Sequence, residues 1–164
     1  MSTPGLSTRL RHLAHWAMAL CLAVMSMAVF VNVVLRYGFG DGLPASEELS
    51  RLLFVWMVFI GAAAAYPAGE HMAFTSLVGL LRGRALALMT VLIRLLVLLA
   101  CTLLGAGAWQ QVVVGLDSRS VVLAYPVALL PLPALLCAVC IGLCALVELL
   151  RRTPLDLGHG AEVE

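Results

Sequence analysis

Very few side chains in this 164-residue sequence could perform acid–base, ligand or redox chemistry, and where they fall limits what that chemistry is. Inside the apolar runs, Asn32, Arg94 and Glu148 stand out as polar. A proton-coupled exporter needs a carboxylate in mid-span, whereas Glu148 adjoins Arg151 and Arg152 at the end of its run, and the other acids fall in connectors or tails. Haem ligation across a bilayer needs histidines on facing spans; His12, His15, His71 and His159 all lie at or beyond the ends of the apolar runs. That disfavours the anchor subunit of a respiratory enzyme. Cys137, Cys140 and Cys144 share one helical face but have no metal-knuckle context, and a small buried thiol packs as a hydrophobe. We therefore expect no catalytic residue, no cofactor and no metal site.

The elements that would position these groups are set by the bilayer. The sequence is 63% hydrophobic and 12% charged, with a mean hydropathy of +1.06, against roughly 45–50% apolar and about 25% charged residues in a soluble domain. Its apolar runs are continuous rather than alternating, so helices, not barrel strands, satisfy the backbone in lipid. Four spans are predicted, at about 13–35, 49–66, 85–111 and 121–150, each near the ~20 residues that cross the hydrocarbon. Together they form one all-α membrane domain, a four-helix bundle over 1–164 with a short polar tail at 151–164. Pro126, Pro131 and Pro133 crowd the start of the fourth run, so its helix proper should begin between Tyr125 and Pro133. The first run is too long for the core of a signal peptide and is expected to be retained.

Orientation follows the arginines, because short cytoplasmic segments are enriched in them. Arg9, Arg11, Arg82, Arg84, Arg151 and Arg152 fall on one side of a four-span zigzag, which puts both termini in the cytoplasm. Arg36, Arg51 and Arg119 fall on the other side with Asp41, Glu47, Glu48 and Asp117. Phe74, Leu77, Val78 and Leu81 recur at helical spacing between Gly69 and Arg84, predicting a short helix along the interface. There is no lysine and no basic face, so nucleic acid is not an expected partner; membrane lipid is.

The remaining charges sit at the seams of the spans. Asn32 and Arg36 are four apart and share a face. Glu47, Glu48 and Arg51 open the second helix, with Ser46 as its expected N-cap and the carboxylates near the positive end of the dipole. Arg36 is expected to pair with Glu47 or Glu48 across the hairpin. Arg94 lies about 15 Å along a helix from Arg84 and either faces a neighbouring helix or subunit or snorkels to the headgroups. No acid in the spans is an obvious mate, which leaves another protein as a source. Gly61 with Ala65, and Cys101 with Gly105 and Ala108, offer small faces for close helix approach.

The order and spacing of Asn32, Arg36-Tyr37, Glu47-Glu48-Leu49, Leu53-Phe54-Val55-Trp56, Gly61-Ala62-Ala63 and Gly69-Glu70-His71 resemble the small membrane subunit, DctQ type, of tripartite ATP-independent periplasmic (TRAP) transporters. The motif-bearing part covers about 32–75. One departure is Thr75, where the family usually has an aspartate four residues after the histidine. The resemblance implies an inner-membrane subunit, not an enzyme. Its partners would be a large permease subunit (DctM type) and, transiently, a periplasmic solute-binding protein (DctP type), in ion-gradient-driven uptake of an organic acid such as a C4-dicarboxylate. It implies structural or partner-contact roles for Asn32, Arg36, Tyr37, Glu47, Glu48, Arg51, Gly61, Gly69, His71 and Arg94. Alternatives of the same size are the small subunit of a tripartite tricarboxylate transporter and a stand-alone small multidrug-type exporter.

Overall fold

The computed structural model describes residues 6–66 and 84–151. Within them run helix α1 (Leu6–Gly38), α2 (Pro44–Ala65), α3 (Arg84–Leu116), a 3-10 turn (Val127–Leu129) and α4 (Leu132–Arg151). Four segments are long and apolar enough to cross a bilayer, Arg11–Gly38, Pro44–Ala65, Leu88–Leu116 and Val127–Arg151. The all-α, four-span reading of the sequence therefore holds. The expected interfacial helix, with Gly69 and His71, and the polar tail beyond 151 lie outside the described residues.

Helix ends differ from the apolar runs where turn chemistry intervenes. α2 has Leu43, not Ser46, as its N-cap, and proline stands at its first helical position, where the missing N–H is not needed. Ser46 is already inside the helix, and its Oγ donates back to the Leu43 carbonyl at 2.8 Å. Gly40, at φ +82°, supplies the left-handed residue of the link between α1 and α2. In the fourth run, residues 121–126 are not helical. They belong to a tight loop closed by Ser120 N–H to Tyr125 O and Val127 N–H to Ser118 O, at 2.9 and 3.0 Å. α4 then starts at Leu132, directly after Pro131, with Pro133 in its first turn.

The helices form a row in which α1 packs along α2, α2 along α4, and α4 along α3. Small residues set these seams, as expected where lipid supplies no hydrophobic drive and close backbone approach does the work. Ala108, Ala134, Cys137, Ala138 and Ala145 are buried. A Cβ on Gly105 would lie 3.7 Å from that of Ala138, and one on Gly142 3.5 Å from that of Cys101. A Cβ on Gly61 would stand 3.1 Å from the Met18 sulfur on α1. Large side chains point away from the seams; Trp16, Phe30, Leu99 and Leu103 are all more than half exposed. A surface of that kind belongs in hydrocarbon, where it carries no penalty.

Candidate interaction site

One clasp forms where α1 hands over to α2. Asn32, one turn before Arg36, accepts the Leu43 N–H on its Oδ1 at 2.5 Å, so a side chain on α1 fixes the residue that opens α2. One turn into α2, Glu48 is buried at 9% exposure. Its Oε1 accepts from the Ser120 hydroxyl, and its Oε2 accepts the Leu123 N–H at 2.8 Å. Deeper on the same helix the Trp56 indole N–H donates to the Leu129 carbonyl at 3.0 Å. α2 thus holds the 117–131 segment by a carboxylate and an indole. Arg119 donates to the carbonyl of Ala124, at 3.2 Å, and Ala124 takes a left-handed φ of 55°.

This arrangement corrects the expected pairing across the hairpin. Arg36 is exposed, as is Glu47, and neither forms an ion pair among the described residues. Glu48 takes hydroxyl and amide donors from the α3–α4 connection instead. A buried carboxylate needs its lone pairs satisfied, and backbone and hydroxyl donors do this without burying a second charge. Tyr37 is 85% exposed at the end of α1.

A second clasp joins α3 to α4. Arg94, 5% exposed, donates from Nη1 to the Glu148 carbonyl at 3.0 Å, and its Nε lies 3.7 Å from Glu148 Oε2. Its mate is therefore within this chain. The two helices run antiparallel, so the Gly105–Ala138 and Cys101–Gly142 contacts carry the register to Arg94 and the last turns of α4. Glu148 lies three residues before the end of α4 at Arg151, so Arg94 stands level with the last turn of α4, and the first turns of α3 extend past that level. An arginine there costs less than one at mid-depth.

The sequence pointed to Glu48 and Arg94 but not to Ser120, Leu123 or the Arg94–Glu148 pair. Among the described residues, no three His, Cys, Asp or Glu side chains converge on a metal-sized site. A shallow groove of about 360 Å³ between Phe59, Leu103, Leu104, Gln111, Leu130 and Pro131 is apolar apart from Gln111. Such a geometry can lock helices together, and it presents no converging charges to a solute. Residues 25–154 match the family model for tripartite ATP-independent periplasmic transporters, DctQ component.

The chain belongs to the DctQ-component family.

Two Haemophilus influenzae proteins, each bearing the name of a TRAP transporter small permease protein, are similar to it. One is 38% identical over 105 residues, covering 64% of this chain and 65% of that protein. The other is 32% identical over 91 residues, covering 56% and 55%. The alignments thus span a little under two thirds of the first relative and over half of the second. Whereas the sequence motifs concentrated in 32–75, the DctQ-component match runs on through α3 and α4, and so takes in both clasps. It also decides against the exporter and the tricarboxylate alternatives. In this DctQ-component chain Glu148 is engaged by Arg94, unlike the free mid-span carboxylate that an exporter requires.

Proposed function

We propose that this DctQ-component chain is the small, non-transporting membrane subunit of a TRAP system, bracing a large permease subunit that moves an organic acid on an ion gradient. The observation that carries this reading is how the deep polar groups are used. Glu48 binds the Ser120–Leu123 loop and Arg94 binds Glu148, so the ionised groups buried in the helix row tie its own helices together. A carrier that handles cargo needs polar groups turned toward a midplane cavity, on discontinuous helices. A brace needs a stiff slab with wide apolar faces, and a row of four helices cross-tied near both ends supplies one.

In this reading the Arg94–Glu148 clasp lies on the cytoplasmic side of the inner membrane, the side of Arg9, Arg11, Arg84 and Arg151, with both termini in the cytoplasm. The clasp of Asn32 and Glu48 then faces the periplasm, within reach of a docked solute-binding protein. The test is reconstitution into vesicles under an imposed sodium gradient. Uptake of a labelled carboxylate is expected only when the chain, a large permease subunit and a binding protein are combined. Uptake by this chain alone, or undiminished uptake when it is left out, would refute the brace.

A further inference from the structure

α1 outreaches its neighbour in the row. With 33 residues, Leu6–Gly38, it is about 50 Å long at 1.5 Å per residue, whereas the 22 residues of α2, Pro44–Ala65, make about 33 Å. The shorter helix already matches the ~30 Å of hydrocarbon. Two contacts set the register of this antiparallel pair, Asn32 with Leu43 towards one end and Met18 with Gly61 towards the other. Ala65 comes four residues after Gly61 and so stands level with about Ala14, four residues before Met18. Residues 6–13 of α1 therefore run on for about 12 Å past the end of α2.

The exposed side chains across that boundary are ordered by polarity. Arg9, His12, Trp16 and Leu20 are all exposed, and their spacing of three, four and four puts them on one strip of α1. Met18, on the side turned to α2, is nine residues from Arg9, which is two and a half turns. The strip therefore lies on the opposite side of α1, along the open edge of the row. Arg9 and His12 stand beyond the end of α2, whereas Trp16 and Leu20, 75% and 66% exposed, lie within its length. No acid accompanies them: α1 contains none, and Glu148, the acid at this end among the described residues, is engaged by Arg94. Arg9 and His12 form no ion pair or hydrogen bond among the described residues, and the exposed Arg11 and Arg151 add positive charge to the same end.

We infer that this strip of α1 seats an anionic phospholipid of the surrounding leaflet, with its phosphate against Arg9 and His12 and its glycerol and first chain carbons along Trp16 and Leu20. Charge and the order of the groups select this occupant. From the helix end inward, guanidinium and imidazole donors, then an indole, then an aliphatic side chain match the phosphate, ester and hydrocarbon of a lipid, and the change falls where α2 ends. Because α1 is an edge of the row and the strip faces away from it, lipid reaches these groups without displacing another helix. A zwitterionic headgroup brings its own cation to the phosphate, so the surplus of arginine at this end favours a headgroup of net negative charge. The site requires neither the subunit role proposed above nor a particular orientation of the chain in the membrane.

The test is native mass spectrometry of the full chain, released from detergent holding equal amounts of phosphatidylglycerol and phosphatidylcholine with the same acyl chains. Phosphatidylglycerol adducts are expected in excess. Arg9→Gln should cut that excess about fivefold, as for one arginine beside an anionic headgroup, whereas Arg9→Lys keeps it and Arg36→Gln, at the far end of α1, leaves it unchanged. Trp16→Ala should also lower the yield of phosphatidylglycerol adducts, because the indole supports the glycerol region. An unchanged yield in that variant would leave a surface that attracts bare anions only and would overturn the lipid seat. Equal adducts of the two lipids, an undiminished excess in Arg9→Gln, or the same loss in Arg36→Gln would each overturn it as well. So would disappearance of the excess once a large permease subunit is bound, since that result hands the strip to a protein partner.

Discussion

A buried carboxylate can be held by a cation or by neutral donors, and Glu48 shows that the choice is not legible from its sequence neighbours. Arg36 and Arg51 flank it in the chain, so an ion pair is the natural expectation, but its donors arrive from 72 and 75 residues away. The type of residue announced a buried polar contact; the partner depended on tertiary geometry that no local spacing encodes. Arg94 teaches the same lesson, since Glu148 comes within reach only once the register of α3 against α4 is set. The consequence is a graded response at position 48. Glu48→Ala leaves the Ser120 hydroxyl and the Leu123 N–H without an acceptor and should cost about 1–3 kcal/mol, read as a lower unfolding midpoint of the purified chain in detergent. Glu48→Gln retains one acceptor oxygen and should lose less. Glu47→Gln, on an exposed side chain, should change the midpoint little, and equal losses at 47 and 48 would contradict the clasp.

Elements were more legible than contacts, because a bilayer demands apolar runs of one length and the sequence supplies four of them. Their ends were less so. Ser46 had the composition of an N-cap, yet Pro44 can sit only at the first turn, and that moves the helix start three residues earlier. The fourth run reads as apolar from Val121 onward, but three prolines delay α4 to Leu132 and leave the intervening residues to a loop and a 3-10 turn. How that turn docks depends on one glycine. A Cβ on Gly115 would stand 2.6 Å from the Ala128 nitrogen and 2.9 Å from its Cα. These are backbone atoms with no rotamer to yield, so Gly115→Ala should push the turn off α3 at a cost of about 1–3 kcal/mol. Because Trp56 bonds to Leu129, tryptophan fluorescence should shift as the turn moves. Gly61→Ala meets only the flexible Met18 thioether at 3.1 Å and should be milder, whereas Gly38→Ala has nothing within 4 Å and tests the background.

At the scale of the molecule, the order of the row decides which surfaces are left for lipid and for partners. Four spans of this length could close into a square bundle in which α1 returns to α3. Here the small-residue seam lies between α3 and α4, the Gly61–Met18 contact between α2 and α1, and the polar clasps reinforce the same neighbours, so α1 and α3 become the two edges. That order was not readable from span lengths, since small residues occur on several faces and only their mutual contacts say which are used. Engineered disulfides separate the two arrangements. In a chain whose five native cysteines are replaced, Gly105→Cys with Ala138→Cys should oxidise readily, because their Cβ separation of 3.7 Å falls within the usual disulfide range. Met27→Cys with Leu96→Cys, one on each edge helix, should give no intramolecular bond. A closed bundle would bring such edge pairs together and would bury the outward faces of α1 and α3. Efficient cross-linking between edges would therefore show that the row had folded up, and with it would go the flat slab on which the bracing role depends.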